Sequence, residues 1–249
     1  MHLRRFPVVP AAAFALLVAA APVAAHAPSV VQAGNESPAT AHVVEDPTLS
    51  RAIGATLGGP GETDWYRMDL SAGDALVVEV TAPDAVGGIA TSFTLLGPGL
   101  PAPASHAATA LAAAAGAAGA IEHKATGGER EVHGGLGFFA WGGIRTTAPS
   151  DGTYWIAVRA AEDGATGKYV LAPGVREEFG LETIGGMADL LAFFNDPWPP
   201  EPGALPPTAG DGGAIRMAAI VVGGLGVALL IVVAGSVAIR RRQKRAASA

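Results

Sequence analysis

Over 249 residues the chain carries 16 basic and 22 acidic residues, 34 glycines, 19 prolines and no cysteine. The lack of cysteine excludes a disulfide scaffold, thiol catalysis and a lipid-modified N-terminal cysteine. Residues 26–214 hold all 22 acids but only eight of the bases, a net of about −14, which disfavours nucleic acid and anionic lipid headgroups as partners of that part.

The N-terminus reads as a secretory leader. Arg4 and Arg5 precede an apolar run from Val8 to Ala21, and Val23-Ala24-Ala25 supplies the small residues of a cleavage site. A cut after Ala27 is the alternative, but it sets Pro28 immediately behind the scissile bond. Residues 1–25 are therefore assigned to a signal peptide, with His26 as the mature N-terminus.

From Asp64 to Leu171 the apolar period is two, the signature of half-buried strands. Tyr66, Met68 and Leu70 alternate with Trp65, Arg67 and Asp69; beyond Ser71-Ala72-Gly73-Asp74, Leu76, Val78 and Val80 do the same. Tyr154, Ile156 and Val158 form a third set, with Tyr169 and Leu171 following the loop 162–167. Weaker strands are expected at 52–57, 91–96 and 138–146. The pattern predicts an all-β, antiparallel β-sandwich over residues 26–174. An Ala/Gly-rich insert at about 101–122 interrupts it. Within that insert, residues 105–115 can form a helix, alanine being the best helix former, or the stretch can be a loose surface excursion.

These strands resemble the bacterial pre-peptidase C-terminal domain, a jelly-roll-like sandwich found on many secreted proteins. The opening pattern of that family appears as Asp64-Trp65-Tyr66-Arg67-Met68 with Gly73-Asp74. Its closing hairpin appears as Gly152-Thr153-Tyr154-Trp155-Ile156-Ala157-Val158 and Gly167-Lys168-Tyr169-Val170-Leu171. The resemblance implies a jelly-roll-like order of strands. The family's middle strand is usually rich in aspartate, whereas Thr91-Ser92-Phe93-Thr94-Leu95-Leu96 has no acid, so no calcium site is carried over.

Residues 175–195 form an amphipathic, membrane-proximal segment in which Leu181, Ile184, Ala188, Leu191 and Phe194 recur at helical spacing, with Gly185-Gly186 as a weak point. It is expected to lie on the sandwich in preference to the membrane interface. Residues 196–214 are a Pro/Gly-rich stalk. The segment 215–239 is predicted to be a single transmembrane helix: Met217 to Ile239 contains no charge and reaches about 35 Å, enough for a hydrocarbon core of about 30 Å. Five Arg/Lys follow it in the tail 240–249, against Arg216 alone before it. The tail is therefore cytoplasmic, and the protein is a single-pass type I protein of the cell membrane.

Leu205-Pro206-Pro207-Thr208-Ala209, followed by this span and the basic tail, resembles the cell-wall sorting signal of sortase substrates, Leu-Pro-x-Thr-Gly. That resemblance implies cleavage after Thr208 and transfer to the cell wall. Ala209 stands where glycine is usual, so a retained membrane helix is the favoured end state and wall attachment the second.

Few residues suggest chemistry. There is no Gly-x-Ser-x-Gly elbow, Walker loop, dinucleotide fingerprint or His-Glu-x-x-His, so neither enzymatic activity nor a cofactor is expected. The pairs Glu129/Glu131 and Glu177/Glu178 are what a surface this acidic would carry without any catalytic role. If cleavage follows Ala25, the amine and imidazole of His26 could chelate copper with a second histidine. His106, His123 and His133 are alternative metal ligands, with Glu122, Glu129 or Glu131 nearby in sequence. Trp65, Trp155 and Phe138-Phe139-Ala140-Trp141 are either a platform for glycans or partner proteins, or, as favoured, residues buried under an insert or helix. The expectation is a non-catalytic, surface-anchored binding or scaffolding module with an envelope protein or glycan as partner. An extracytoplasmic copper-handling protein is the alternative.

Overall fold

The computed structural model describes residues 27–84, 87–133, 136–177 and 181–199. In chain order the strands are β1 (Ala27–Val30), β2 (His42–Val43), β3 (Arg51–Leu57), β4 (Asp64–Leu70), β5 (Ala75–Pro83), β6 (Thr91–Gly97), β7 (Gly119–His123), β8 (Glu129–His133), β9 (Leu136–Thr147), β10 (Gly152–Ala160) and β11 (Gly167–Pro173). Helix α1 (His106–Ala115) lies between β6 and β7, and helix α2 (Leu181–Asn195) follows β11. The leader, His26, the sorting motif and the apolar span lie outside the described residues. No helix among the described residues is long and apolar enough to cross a membrane.

The strands make two sheets, ordered β1-β3-β11-β5-β9-β8 and β2-β4-β10-β6-β7. The alternating residues of the sequence meet between them. Tyr66, Met68 and Leu70, Leu76, Val78 and Val80, Tyr154, Ile156 and Val158, and Tyr169 and Leu171 share one buried core with Phe93 and Leu95. Burying a side chain of this size stabilises by roughly 1.5–3 kcal/mol, which is why the period-two pattern fixes the register.

Antiparallel pairing is not universal. Seven of the described strand pairs are antiparallel, but β1–β3 and β2–β4 are parallel. The first four strands alternate between the sheets, so each of these pairs is separated by a strand in the opposite layer. Such a crossover leaves its two ends running the same way. Both parallel partners are short edge strands, and neither shows the long alternation that marks the central strands.

Each sheet carries a helix on its outer face. Helix α1 begins at Ser105, whose Oγ accepts the Ala108 N–H at 3.0 Å, and stops at Gly116 in left-handed geometry (φ +64°). Its Ala108 and Ala112 press on Trp65, Leu96, Ala120 and Ala157. The Ala/Gly-rich stretch is thus part of the fold, and its end supplies β7. Trp65, only 3% exposed, is covered as favoured, and Trp155 packs half-buried beside it.

Helix α2 lies on the six-stranded sheet. Leu190 and Phe194 pack on Val170, with Val30, Ala52, Phe138 and Phe193 around them. Ala188 and Phe194 are buried as their spacing predicts, but Leu190 is buried where Leu191 was expected, and Leu191 is half-buried. The reason is visible at two glycines. A Cβ on Gly54 would stand 2.8 Å from Leu190 Cδ1, and one on Gly186 would stand 2.0 Å from the Pro28 carbonyl oxygen. Gly186 therefore lets the helix come close to the backbone of β1, and α2 runs through Gly185-Gly186 without a break. Buried Lys168 on β11 completes the dock: its Nζ donates to the carbonyls of Phe193 and, at 2.6 Å, Asp196, and lies 4.9 Å from the Phe193 ring centroid. A cation there also faces the negative end of the helix dipole.

Candidate functional site

A polar cleft opens on the outer face of the five-stranded sheet, beyond the part covered by α1. Its volume is about 480 Å³. The register builds its floor. Trp65, Ala157, Thr94 and Glu122 form one row across β4, β10, β6 and β7. In the next row Arg159 lies opposite Ser92, and Lys124, just past the last β7 pair, continues the line. Walls come from Gly61-Glu62 in the β3–β4 turn and from residues 161–165 between β10 and β11.

The first row passes from an apolar to a polar surface. Trp65 and Ala157 sit under α1, while Thr94, 2% exposed, already lies in the cleft floor. Glu122 is half-buried and accepts from Ser105 Oγ at 2.8 Å, so the cap of α1 is also the near wall of the cleft. Ser92 Oγ accepts the Ala125 N–H at 3.1 Å, which leaves its own hydroxyl hydrogen to donate. Glu62 accepts the N–H of Gly59 and so stiffens its own turn. Glu162 and Asp163 are exposed at the rim. Arg159 is half-buried, and among the described residues it forms no ion pair.

Behind the cleft, the start of β4 holds a buried polar chain between the sheets. Tyr169 on β11 donates to Asp64 Oδ2 at 2.7 Å, and the Tyr66 and Tyr169 hydroxyls are 2.7 Å apart. Asn35 joins it, exchanging bonds with the Trp65 backbone: Trp65 N–H donates to the Asn35 carbonyl at 2.7 Å, and Asn35 Nδ2 donates to Trp65 O at 3.3 Å. Burial pushes the Asp64 carboxyl up to about 6; the Tyr169 hydroxyl opposes this, and the nearby Glu62 and Glu36 add to it. Burial likewise pushes the Tyr169 and Tyr66 hydroxyls well above their usual range. The phenol of Tyr169 thus donates to a buried carboxyl held toward its protonated form.

The described histidines lie on separate elements. His106 is exposed on α1, over the outer face of the five-stranded sheet. His123 ends β7 and turns inward, its ring 5.0 Å from that of Phe93. His123 Nε2 lies 2.9 Å from the Trp141 carbonyl; because a carbonyl only accepts, Nε2 carries the hydrogen and is taken out of metal reach. His133 ends β8 in the other sheet, its side chain outside the described residues like His26. Among the described residues no three His, Asp or Glu side chains gather as a metal site. Neither Glu129 nor Glu131 is in the cleft, and Phe138 packs edge-on against Phe194.

The sequence alternation already put Arg159 on the outward face with Trp155 and Ala157. What it lacked was the pairing of β10 with β6 and of β6 with β7, which places a guanidinium, two hydroxyls and an ammonium on one floor.

No family model matches the chain, and no curated protein does. Among solved structures, the chain is similar to CorA, a surface-associated copper-binding protein important in copper acquisition by Methylomicrobium album BG8. The identity is 12% over 55% of this chain and 98% of that one, with a TM-score of 0.29.

Proposed function

We propose that this protein is a non-catalytic binding module held outside a cell membrane by a single C-terminal helix, and that the cleft beside α1 is where it binds an envelope component. The observation that carries this reading is Arg159, a half-buried residue lining an open polar cleft with no ion pair among the described residues, in a domain with acid to spare. Guanidinium groups are usually matched by planar anions, and an unmatched one in a concavity suits an external ligand. Leader, apolar span and flanking charge support the orientation, with the basic tail inside. The pre-peptidase-like strand motifs support a jelly-roll-like accessory module, and the Leu205–Ala209 motif leaves wall attachment as a second end state. The missing catalytic motifs support the non-enzymatic part of the reading.

The test is co-sedimentation of the full chain, in detergent, with purified envelope fragments. Ser92→Trp fills the cleft floor from an outward position and should abolish retention while preserving the far-UV circular dichroism of the wild type. Equal retention of wild type and S92W removes the cleft from the binding function.

A further inference from the structure

The two signs of charge in the cleft are sorted, and the sorting points to a ligand class. This step rests on the cleft being the binding site. The floor presents donors: Arg159 and Lys124 in one line with Ser92 between them, and Thr94 in the adjoining row. Strands lie about 4.8 Å apart, so the Arg159 and Lys124 backbone positions are roughly 10 Å from one another across the sheet. The rim presents acceptors, the exposed carboxylates of Glu162 and Asp163 and the half-buried Glu62. Glu122 is already engaged with Ser105.

A simple polyanion would meet Arg159 but be repelled by this rim, and a simple cation would meet the rim but be repelled by the floor. A neutral sugar would leave Arg159 unmatched. A saccharide that carries carboxylates satisfies both sets, its carboxylate taking the guanidinium fork and its hydroxyls donating to the rim carboxylates, which are acceptors only. The volume of about 480 Å³ falls within the usual range for small-molecule sites. We infer that the cleft binds an acidic saccharide of the uronic acid type, with Arg159 reading the carboxylate and the 162–163 turn reading ring hydroxyls.

Isothermal titration of the full chain in detergent micelles, at low salt, tests this with three probes. These are tetragalacturonate, its fully methyl-esterified counterpart and tetraglutamate. Esterification removes the charge and keeps the ring hydroxyls; the peptide keeps the charge and removes the rings. Tetragalacturonate should bind, with the ester and the peptide each at least tenfold weaker. Arg159→Gln should lose at least tenfold for the acid and little for the ester, with Arg159→Lys in between. Raising the salt should weaken the acid alone, since the rim-exposed part of the pairing is screened. Equal binding of acid and ester overturns the carboxylate assignment, and tetraglutamate binding as tightly as the saccharide overturns the sugar assignment. No binding of any probe overturns the ligand class, while the S92W sedimentation result still decides on the cleft by itself.

Discussion

The two outer faces of this sandwich are covered in opposite ways. On the six-stranded sheet, α2 brings Leu190, Phe193 and Phe194, Gly54 makes room for the first two, Gly186 lets helix and strand backbones meet, and Lys168 ties down the carbonyls of Phe193 and Asp196. On the five-stranded sheet, α1 offers little beyond alanine, and it shields Trp65 and its neighbours before giving way to Ser92, Thr94 and Arg159. The cover with large side chains seals the β1–β3–β11 side of its face, leaving Glu79 and Arg145 of β5 and β9 exposed, and the small one leaves the polar cleft. Helix α2 thus behaves as a structural wall, whereas α1 forms one border of the cleft.

The contrast is most sharply tested by truncating the wall. Phe194→Ala removes a buried ring that also meets Phe138 edge-on with centroids 5.4 Å apart. Such truncations cost about 3–5 kcal/mol, and a loss of about 3 kcal/mol is expected in chemical denaturation. Hydrogen exchange should show α2 amides opening while α1 keeps its protection. Matching deprotection of α1 would mean that the two covers are one cooperative unit, and the contrast would be lost.

Next in size is the layer that both faces share. The carboxyl of Asp64 titrates at about 6 in the fold against an ordinary value of 3.8, so protonation favours the folded state. The stabilisation is complete below about pH 4 and disappears as pH rises through 6. Asp64→Asn retains an acceptor for the Tyr169 hydroxyl and cannot ionise. It should gain on the order of 2 kcal/mol over the wild type at pH 8, since each tenfold change in proton affinity is worth about 1.4 kcal/mol, and gain little at pH 4. A pH-independent difference in denaturation midpoints would show that Asp64 is not the group responsible. Because the Asp64–Tyr169 bond joins the two sheets, neither helix should change its exchange relative to the other.

Legibility in the sequence follows the same division between strong and weak packing. Tyr66, Met68 and Leu70 declared their strand because three large side chains alternate without a break, and β5, β10 and β11 were equally plain. Edge strands β1, β2 and β8 were not seen. They are two to five residues long, bury little, and take their place from crossovers and from β9, none of which leaves a local periodicity. The helix at 105–115 was open between two outcomes because alanine gives propensity without amphipathicity. Trp65, awaiting a cover, was the signal that could have decided it. The cleft was legible only in part: Arg159 faces outward by alternation, but its neighbours Ser92 and Lys124 lie 67 and 35 positions away and are set by register alone. Residue type alone does not show that His106 sits on α1, His123 on β7 and His133 on β8, whereas topology does.

The smallest expected effect is at the border itself, where fold and site meet in one side chain. Ser105 Oγ accepts the Ala108 N–H and donates to Glu122. Ser105→Ala should cost about 1 kcal/mol, the usual worth of an N-cap, and should leave α2 untouched. Its second consequence separates a border from a plain cover. Freed from Ser105, the Glu122 carboxylate can swing toward Arg159, one row and two strands away, and compete with any anionic ligand. S105A should therefore weaken tetragalacturonate binding several-fold, and Ser105→Ala/Glu122→Gln should restore it without restoring the helix cap. If affinity instead follows stability, falling in both variants alike, then α1 acts on the cleft only by holding it shut at one end. The contrast between the two faces would then reduce to a difference in size.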